Sequence, residues 1–364
     1  MNKIYLDYNA TTPLRPEVLA LVTDIMGGVG NASSVHGFGR IARQHIEKAR
    51  EQVAALCGAN NPDQVIFTSG ATEAINTVLH GYADKAVLIS AIEHPAVIEA
   101  ASHATSIPVQ ENGLVDMNAY QDLLTKERPA IVSTMLVNSE TGVIQPIADM
   151  AKIAQDHGAL FHTDAVQGAG RLDISLKTLG ADFITLSAHK FGGPQGVGAI
   201  IKKEGLNLSK FMRGGGQEKN CRAGTHNTAG IAGMGLAAQI AQENIKEYER
   251  ITALRDKIEK EILSKTNLAT IYGAQAPRVG NTCNIGLKGM PAQTQMMALD
   301  LDGISVSSGS ACSSGSFKAS HVLKAMGVND EDAKSALRIS LGWATTEAEI
   351  DAFLKSYEKI LTRL

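Results

Sequence analysis

The sequence predicts an α/β fold, with a mainly parallel central sheet covered by helices on both faces and a smaller α+β unit beside it. Short apolar runs of buried-strand type alternate with helical stretches through roughly the first 200 residues. Strands that alternate with helices imply parallel strands joined by crossovers. Past Thr225 the alternation stops, and long helical patterns with one strand-like run take over. A length of 364 residues leaves room for about two units. The larger is expected at 15–243, and the smaller at 1–14 together with 244–364.

The chain opens with a short strand at 4–6 and a polar turn ending in Thr12-Pro13. From Ala42 the small or apolar positions 42, 46, 49, 53 and 56 recur at steps of four and three, which predicts an amphipathic helix ending near Gly58. Val65-Ile66-Phe67-Thr68 reads as a strand, Ser69-Gly70-Ala71-Thr72-Glu73 as a tight turn, and the stretch to His80 as a helix. The pattern repeats with a strand at 86–91 and a helix from Pro95, then a strand at 130–137 and a helix opening at Pro146. Strands at 159–163 and 182–187 follow, and a glycine-rich loop leads from the second into an apolar run at 197–201. A helical stretch is expected from about 225 to 265, with Ile251, Leu254, Ile258 and Ile262 on one stripe. A strand at 282–287 comes next, and the last helix starts at a capping box formed by Thr346 and Glu349.

Composition narrows the function. A net charge of -3 gives no electrostatic reason to expect nucleic acid or an anionic membrane as partner. The amino terminus lacks the apolar core of a signal peptide and no apolar run approaches membrane-spanning length, so a cytoplasmic protein is expected. Cys57, Cys221, Cys283 and Cys312 lie far apart and form no CxxC pair, which argues against a zinc site and a disulfide framework; no metal is expected.

In sheets of this kind ligands bind beyond the carboxyl ends of the strands, and the residues there are informative. The strand at 65–68 delivers Ala71 and Thr72 to a helix start, where free amide hydrogens and the dipole can hold a phosphate. The strand at 86–91 delivers Glu93 and His94, and the strand at 130–137 delivers Asn138 and Ser139. The strand at 159–163 ends in Asp164, an acid that is costly to bury without a cationic partner, with Gln167 close behind. The strand at 182–187 ends in Ser187-Ala-His189-Lys190, where an apolar setting eases deprotonation of the lysine. A phosphate cradle, an imidazole, a buried carboxylate and a lysine on one edge are what pyridoxal phosphate requires. The glycine-rich loop matches neither a dinucleotide fingerprint nor a P-loop.

The segments Tyr5-Leu-Asp-Tyr-Asn-Ala-Thr-Thr-Pro13, Phe67-Thr-Ser-Gly-Ala-Thr-Glu73, Glu93-His94, His162-Thr-Asp-Ala-Val-Gln167, Ser187-Ala-His-Lys190, Arg222-Ala-Gly-Thr225 and Ser307-Ser-Gly-Ser-Ala-Cys312 stand in this order along the chain. Together they resemble the cysteine desulfurases of the NifS and IscS type. The resemblance implies a fold-type I, pyridoxal 5'-phosphate-dependent homodimer that releases L-alanine from L-cysteine and keeps the sulfur as a persulfide. It further implies onward transfer to a protein acceptor, such as an iron–sulfur scaffold, or into tRNA thiolation. By position, Lys190 matches the lysine that holds the cofactor, Asp164 the partner of its ring nitrogen, and His94 the imidazole stacked on the ring. Gln167 matches a donor to the phenolic oxygen, and Ala71, Thr72, Ser187 and His189 the phosphate cradle. Thr225 matches a threonine reaching the neighbouring subunit's phosphate, Arg338 the clamp on the substrate carboxylate, and Asn31 an assistant there.

Cys312 matches the persulfide-forming cysteine. It lies within 305–316, where seven of twelve residues are serine and little is offered to bury a thiol, so exposure is expected. Cys57 and Cys283 read as packing residues. Where the family usually carries a second asparagine, this chain has Ser139, whose hydroxyl reaches less far; Ala32 and Ala319 replace prolines common in the family. Selenocysteine lyase, transaminase or kynureninase activity would use the same fold, and a non-catalytic sulfur-carrier subunit is the alternative from another class.

Overall fold

The computed structural model describes residues 3–309 and 319–364, so Cys312 lies outside the described residues. After β1 (Ile4–Tyr5), the chain lays down β2 (Val65–Thr68), β3 (Val87–Ser90), β4 (Thr105–Ile107), β5 (Ile131–Ser133), β6 (Leu160–Asp164), β7 (Phe183–Ser187) and β8 (Gly198–Lys202). Strands β2 to β8 form one seven-stranded sheet in the order β2-β8-β7-β6-β5-β3-β4. The pairs from β7 across to β4 are parallel. Strand β8 runs antiparallel to both β2 and β7, so β2 and β7 point the same way. The carboxyl ends of β2, β3, β5, β6 and β7 therefore share one edge.

Every residue of β2, β3 and β7 is buried, as befits a sheet covered on both faces, whose strands read as continuous rather than alternating apolar runs. One face packs against helices Gly37–Leu56 and Thr228–Glu243 through Ile46, Val53, Ile231 and Met234. These two helices approach so closely that a Cβ on Gly235 would lie 2.4 Å from the Cα of Ala49. The other face packs against Ala71–His80 and Pro95–Ala100 through Ile75, Val78, Leu79 and Val97.

The remaining strands are β9 (Ala269–Ile271), β10 (Thr282–Leu287), β11 (Ile304–Ser305), β12 (Ser307–Ser308) and β13 (Ala336–Ser340). Strands β9, β10, β12 and β13 form an antiparallel sheet in the order β12-β13-β10-β9, while β1 pairs in parallel with β11. A separate apolar core fills this region, with Leu6, Ile258, Ile262, Ile285, Leu337, Ile350 and Phe353 among its members. The last helix, Glu347–Leu361, begins at the expected reciprocal cap between Thr346 and Glu349.

The segment after β1 ties the two sheets together. Asn9 donates its backbone N–H to Ser340 Oγ and its side-chain amide to Thr282 Oγ1 and to the Ser139 carbonyl, each at 2.9 Å. Thr12 donates its N–H to the His189 carbonyl at 2.8 Å.

Two sequence expectations need correction. The helical stretch from 225 to 265 is two helices, Thr228–Glu243 and Glu247–Lys265. Asn244 ends the first by donating its side-chain amide to the Ile240 carbonyl at 2.9 Å, an acceptor the backbone also uses. The strand expected at 130–137 is regular only over Ile131–Ser133, although Thr134 and Leu136 still donate their N–H groups to the His162 and Asp164 carbonyls of β6. Beyond it, the Met135 N–H turns to the carboxyl of Glu93 at 2.8 Å instead of to a neighbouring strand.

Candidate active site

A cleft of about 810 Å³ opens along the shared edge of carboxyl ends and is closed on its other side by β12, β13 and the segment after β1. It is lined by Ala71, Thr72, His94, Ser139, Asp164, Gln167, Ser187, His189, Lys190 and Arg338. Asn31 and Thr225 are exposed and do not line it; the Asn31 side chain accepts from the Ser33 N–H at 2.9 Å. The described residues on either side of the Cys312 segment, Gly309 and Ala319, both line the cleft.

Strand β2 ends in the turn that starts helix Ala71–His80. Gly70 stands at its N-cap and supplies no side-chain cap, so the first amides of the helix face the cleft unclaimed. The turn needs a close neighbour without a side chain: a Cβ on Gly198 would lie 2.5 Å from the carbonyl carbon of Gly70. Glu73 steadies it, accepting from the Ser69 N–H at 2.8 Å and from two nitrogens of Arg222 at 2.8 and 3.1 Å.

His94 caps the next helix, Pro95–Ala100, its Nδ1 accepting from the Ala96 N–H at 3.1 Å. That bond places the neutral ring's proton on Nε2. Burial holds the imidazole below its usual pKa, with Lys190 and His321 adding to the effect and Asp164 opposing it. Asp164 closes β6, buried, with one oxygen accepting from the Val166 N–H at 2.9 Å. Burial raises its pKa, while His94 and Lys190 pull it back; a carboxylate here keeps its charge only opposite a cation.

Lys190 ends the turn after β7, and its Nζ donates to the carbonyls of Asn9 and Ala10 at 2.5 and 2.9 Å. Burial, reinforced by Arg171 and Arg338, lowers its pKa to about 7. His189 is lowered to about 4 by burial and by Lys190, and its Nδ1 lies 3.1 Å from Thr11 Oγ1. Gln167 donates to the Asn9 carbonyl at 3.0 Å, while its Oε1 is buried without a partner.

Arg338 reaches in from β13. Its Nη2 donates to Asp7 Oδ1 at 2.7 Å and its Nη1 to the Ser139 carbonyl at 3.3 Å; its Nε is buried and unpartnered. The Ser139 hydroxyl makes no bond of its own among the described residues.

Several contributors had no role assigned from the sequence, although Glu93 stands in the Glu93-His94 motif. Glu93 accepts from Ser90 Oγ and from the Met135 N–H, and burial raises its pKa to about 8. Glu140, buried and raised by burial, accepts from Ser320 Oγ at 2.5 Å. His321 donates through Nε2 to the Glu93 carbonyl at 2.9 Å. Asp7 and Asn9 sit within the first motif, and that placement was the only signal of them in the sequence.

Among the described residues no helix is long and apolar enough to cross a membrane, and no cluster of His, Cys, Asp and Glu is placed to hold a metal ion. Cys57 and Cys283 are buried, with burial pushing the Cys57 thiol up to about 12.

The sequence matches the aminotransferase class-V family over residues 4–353. A cysteine desulfurase of Sinorhizobium fredii is 41% identical over 379 residues, spanning 100% of this chain and 98% of that protein. The cysteine desulfurase IscS of Dictyoglomus turgidum is 40% identical over 377 residues, spanning 100% and 95%. The solved structure of a NifS-like protein from Rickettsia africae superposes with a TM-score of 0.93 at 38% identity, covering 99% of this chain and 100% of that one. With a shared fold and full-length identity near these values, the chain belongs to the class-V aminotransferase family and, within it, to the cysteine desulfurases of the NifS and IscS type.

Proposed function

We propose that this protein is a pyridoxal-phosphate-dependent cysteine desulfurase that takes sulfur from L-cysteine, releases L-alanine and holds the sulfur on Cys312. One observation carries the reading: a buried carboxyl, an imidazole of fixed tautomer and a lysine amine lowered to about 7 meet in one cleft with a free helix start. The residues fit the cofactor. The unclaimed amides at Ala71 and Thr72, with Ser187 and His189, suit a phosphate. Asp164, costly to bury alone, suits a protonated ring nitrogen, and the unpartnered Gln167 Oε1 and the face of His94 lie at the same cleft. When bound, pyridoxal phosphate supplies an electron sink conjugated to the amino group of the substrate.

Arg338, with Nε free of other partners, orients the substrate carboxylate, and Asn31 has no part in that contact within one chain. Lys190, whose burial eases loss of its proton near neutral pH, takes the α-proton and returns it. His94, neutral and donating through Nε2, assists the same transfers. The Cys312 thiolate attacks the substrate sulfur. The carbon–sulfur bond breaks, its electron pair stays on carbon, and protonation there gives alanine while Cys312 carries the persulfide.

The working unit is a homodimer. Thr225 is exposed, as a residue serving a neighbour's phosphate must be, and Met26, Val29, Val35 and Phe38 leave large apolar groups 61–85% exposed near the start of helix Gly37–Leu56. The protein would act in the cytoplasm and pass sulfur to a protein acceptor.

Purified protein supplied with the cofactor should be yellow, and L-cysteine with a thiol reductant should yield alanine and sulfide in equal amounts. Borohydride should fix the pyridoxyl group to the Lys190 peptide. Full sulfide release by Cys312→Ser would overturn the persulfide assignment, and an unchanged reducible chromophore in Lys190→Ala would overturn the lysine's. A monomer of full activity in light scattering would overturn the shared site.

A further inference from the structure

Lys190 also lines a second and much smaller space, a chamber of about 20 Å³ bounded by Arg15, Arg171, Tyr248 and Trp343. That is room for one water or one ion of similar size. Four buried nitrogens of its lining residues have no partner: Nε of Arg15, Nε and Nη1 of Arg171, and Nε1 of Trp343. The lining's one carboxylate, Glu247, is shared between Arg15 at 3.5 Å and Arg250 at 3.4 Å.

Two guanidinium groups, Arg15 and Arg171, face one carboxylate, Glu247, across the chamber. Arg171 is 5% exposed and has no carboxylate within ion-pair distance among the described residues. Arg15 lies over the Trp343 ring at 4.3 Å and reaches Glu247 only at 3.5 Å. Tyr248, its pKa raised by burial, stays a neutral hydroxyl. A buried guanidinium without a counter-charge is costly. A water could accept from only two of these four donors and brings no charge; a halide can accept from all of them and carries the negative charge that Arg171 lacks.

We propose that this chamber binds a single halide ion, chloride in ordinary media, held by Arg171, Arg15 and the Trp343 indole. The ion offsets the charge of Arg171, one of two arginines that bear on Lys190. The other groups facing the lysine are Arg338, Asp164, Asp7, His94 and His189. Chloride thus sets how much positive field the amine experiences without entering the cleft.

Crystals of the holoenzyme grown without halide and soaked in bromide should give an anomalous peak bordered by Arg171 and Trp343. In solution, chloride should raise Tm relative to gluconate at equal ionic strength, with a saturable midpoint. Trp343→Phe keeps the ring over Arg15 and removes one donor, so its midpoint should move up about tenfold or more, with Tm in gluconate changed little. Arg171→Met should abolish the chloride response. A bromide soak that leaves only water density in the chamber overturns the proposal, as does a chloride response identical in wild type and both variants. If Arg171→Met does not fold, the Trp343→Phe midpoint decides alone.

Discussion

Asp7 holds Arg338 through a 2.7 Å bond to Nη2, and so fixes the plane of the guanidinium that faces the cleft from β13. Both side chains are largely buried, at 19% and 9% relative exposure, so the pair is a positioning device rather than a surface ion pair. Asp7→Asn should raise KM for L-cysteine about tenfold or more while kcat stays within about twofold, as expected for a charged hydrogen bond that orients the clamp. Steady-state alanine formation checks this; an unchanged KM would separate Asp7 from substrate binding.

Lys190 predicts two pH effects of opposite visibility. With its pKa lowered to about 7, kcat should show an acid limb near pH 7, because the amine is free to act as a base only once substrate is bound. In cofactor-free protein, the folded lysine is neutral above about pH 7 while the unfolded one keeps its proton to near pH 10.5. The unfolded state then binds more protons, so stability should climb across that window. Denaturant melts at pH 7 and 9.5 should show the gain in wild type and its loss in Lys190→Met.

Arg50 and Glu218 form a buried pair behind the turn of β2. Glu218 accepts from Arg50 at 2.8 and 2.9 Å, from the Phe67 N–H at 2.8 Å and lies 2.8 Å from His226 Nε2. These bonds hold residues 218–220 at φ of 44°, 55° and 63°, a left-handed run without glycine. Burial would raise the Glu218 pKa, but Arg50 and His226 bring it down to about 2. Its stabilisation is complete above the usual carboxylate pKa near 4.5 and is lost as pH falls towards 2. Arg50→Met should cost about 3–5 kcal/mol at pH 7, and much less at pH 2, measured by urea unfolding.

Gly198→Ala should damage the helix start that faces the cleft, because the new methyl would stand 2.5 Å from the Gly70 carbonyl carbon and 2.7 Å from the Leu186 oxygen. A stability loss of about 1–3 kcal/mol is expected, with pyridoxal phosphate bound more weakly in fluorescence titration. Gly196→Ala, which meets no atom within 4 Å but sits at φ 79°, separates crowding from backbone strain: it should lose stability with cofactor affinity retained.

The strand ends were legible because each chemical group directly follows an apolar run, as Asp164 follows Leu160–Thr163 and Lys190 follows Phe183–Ser187. What runs beside what was not. The Val197–Ile201 run reads as any buried strand, and its reversed insertion between β2 and β7 is a matter of tertiary pairing alone. Arg338 was visible only through the resemblance, since its strand, Ala336–Ser340, is short and has no distinctive pattern. Asn31 was placed by motif, yet the turn before helix Gly37–Leu56 claims its side chain and leaves it outside the cleft. Arg171, Glu93 and Glu140 are charged residues whose burial no local pattern announces.

The tether of Asn9 to Thr282 and Ser340 has a consequence for the order of events during synthesis. The seven-stranded sheet is complete in sequence once Lys202 has emerged, and by then Gln167 and His189 can already hold the segment of Asn9 and Thr12 beside Lys190. At ordinary elongation rates Thr282 and Ser340 arrive on the order of 10 s later. A nascent chain thus spends that interval with a nearly finished sheet and a one-walled cleft, and the wall that carries Arg338 closes it only after the ribosome has delivered the final third of the protein.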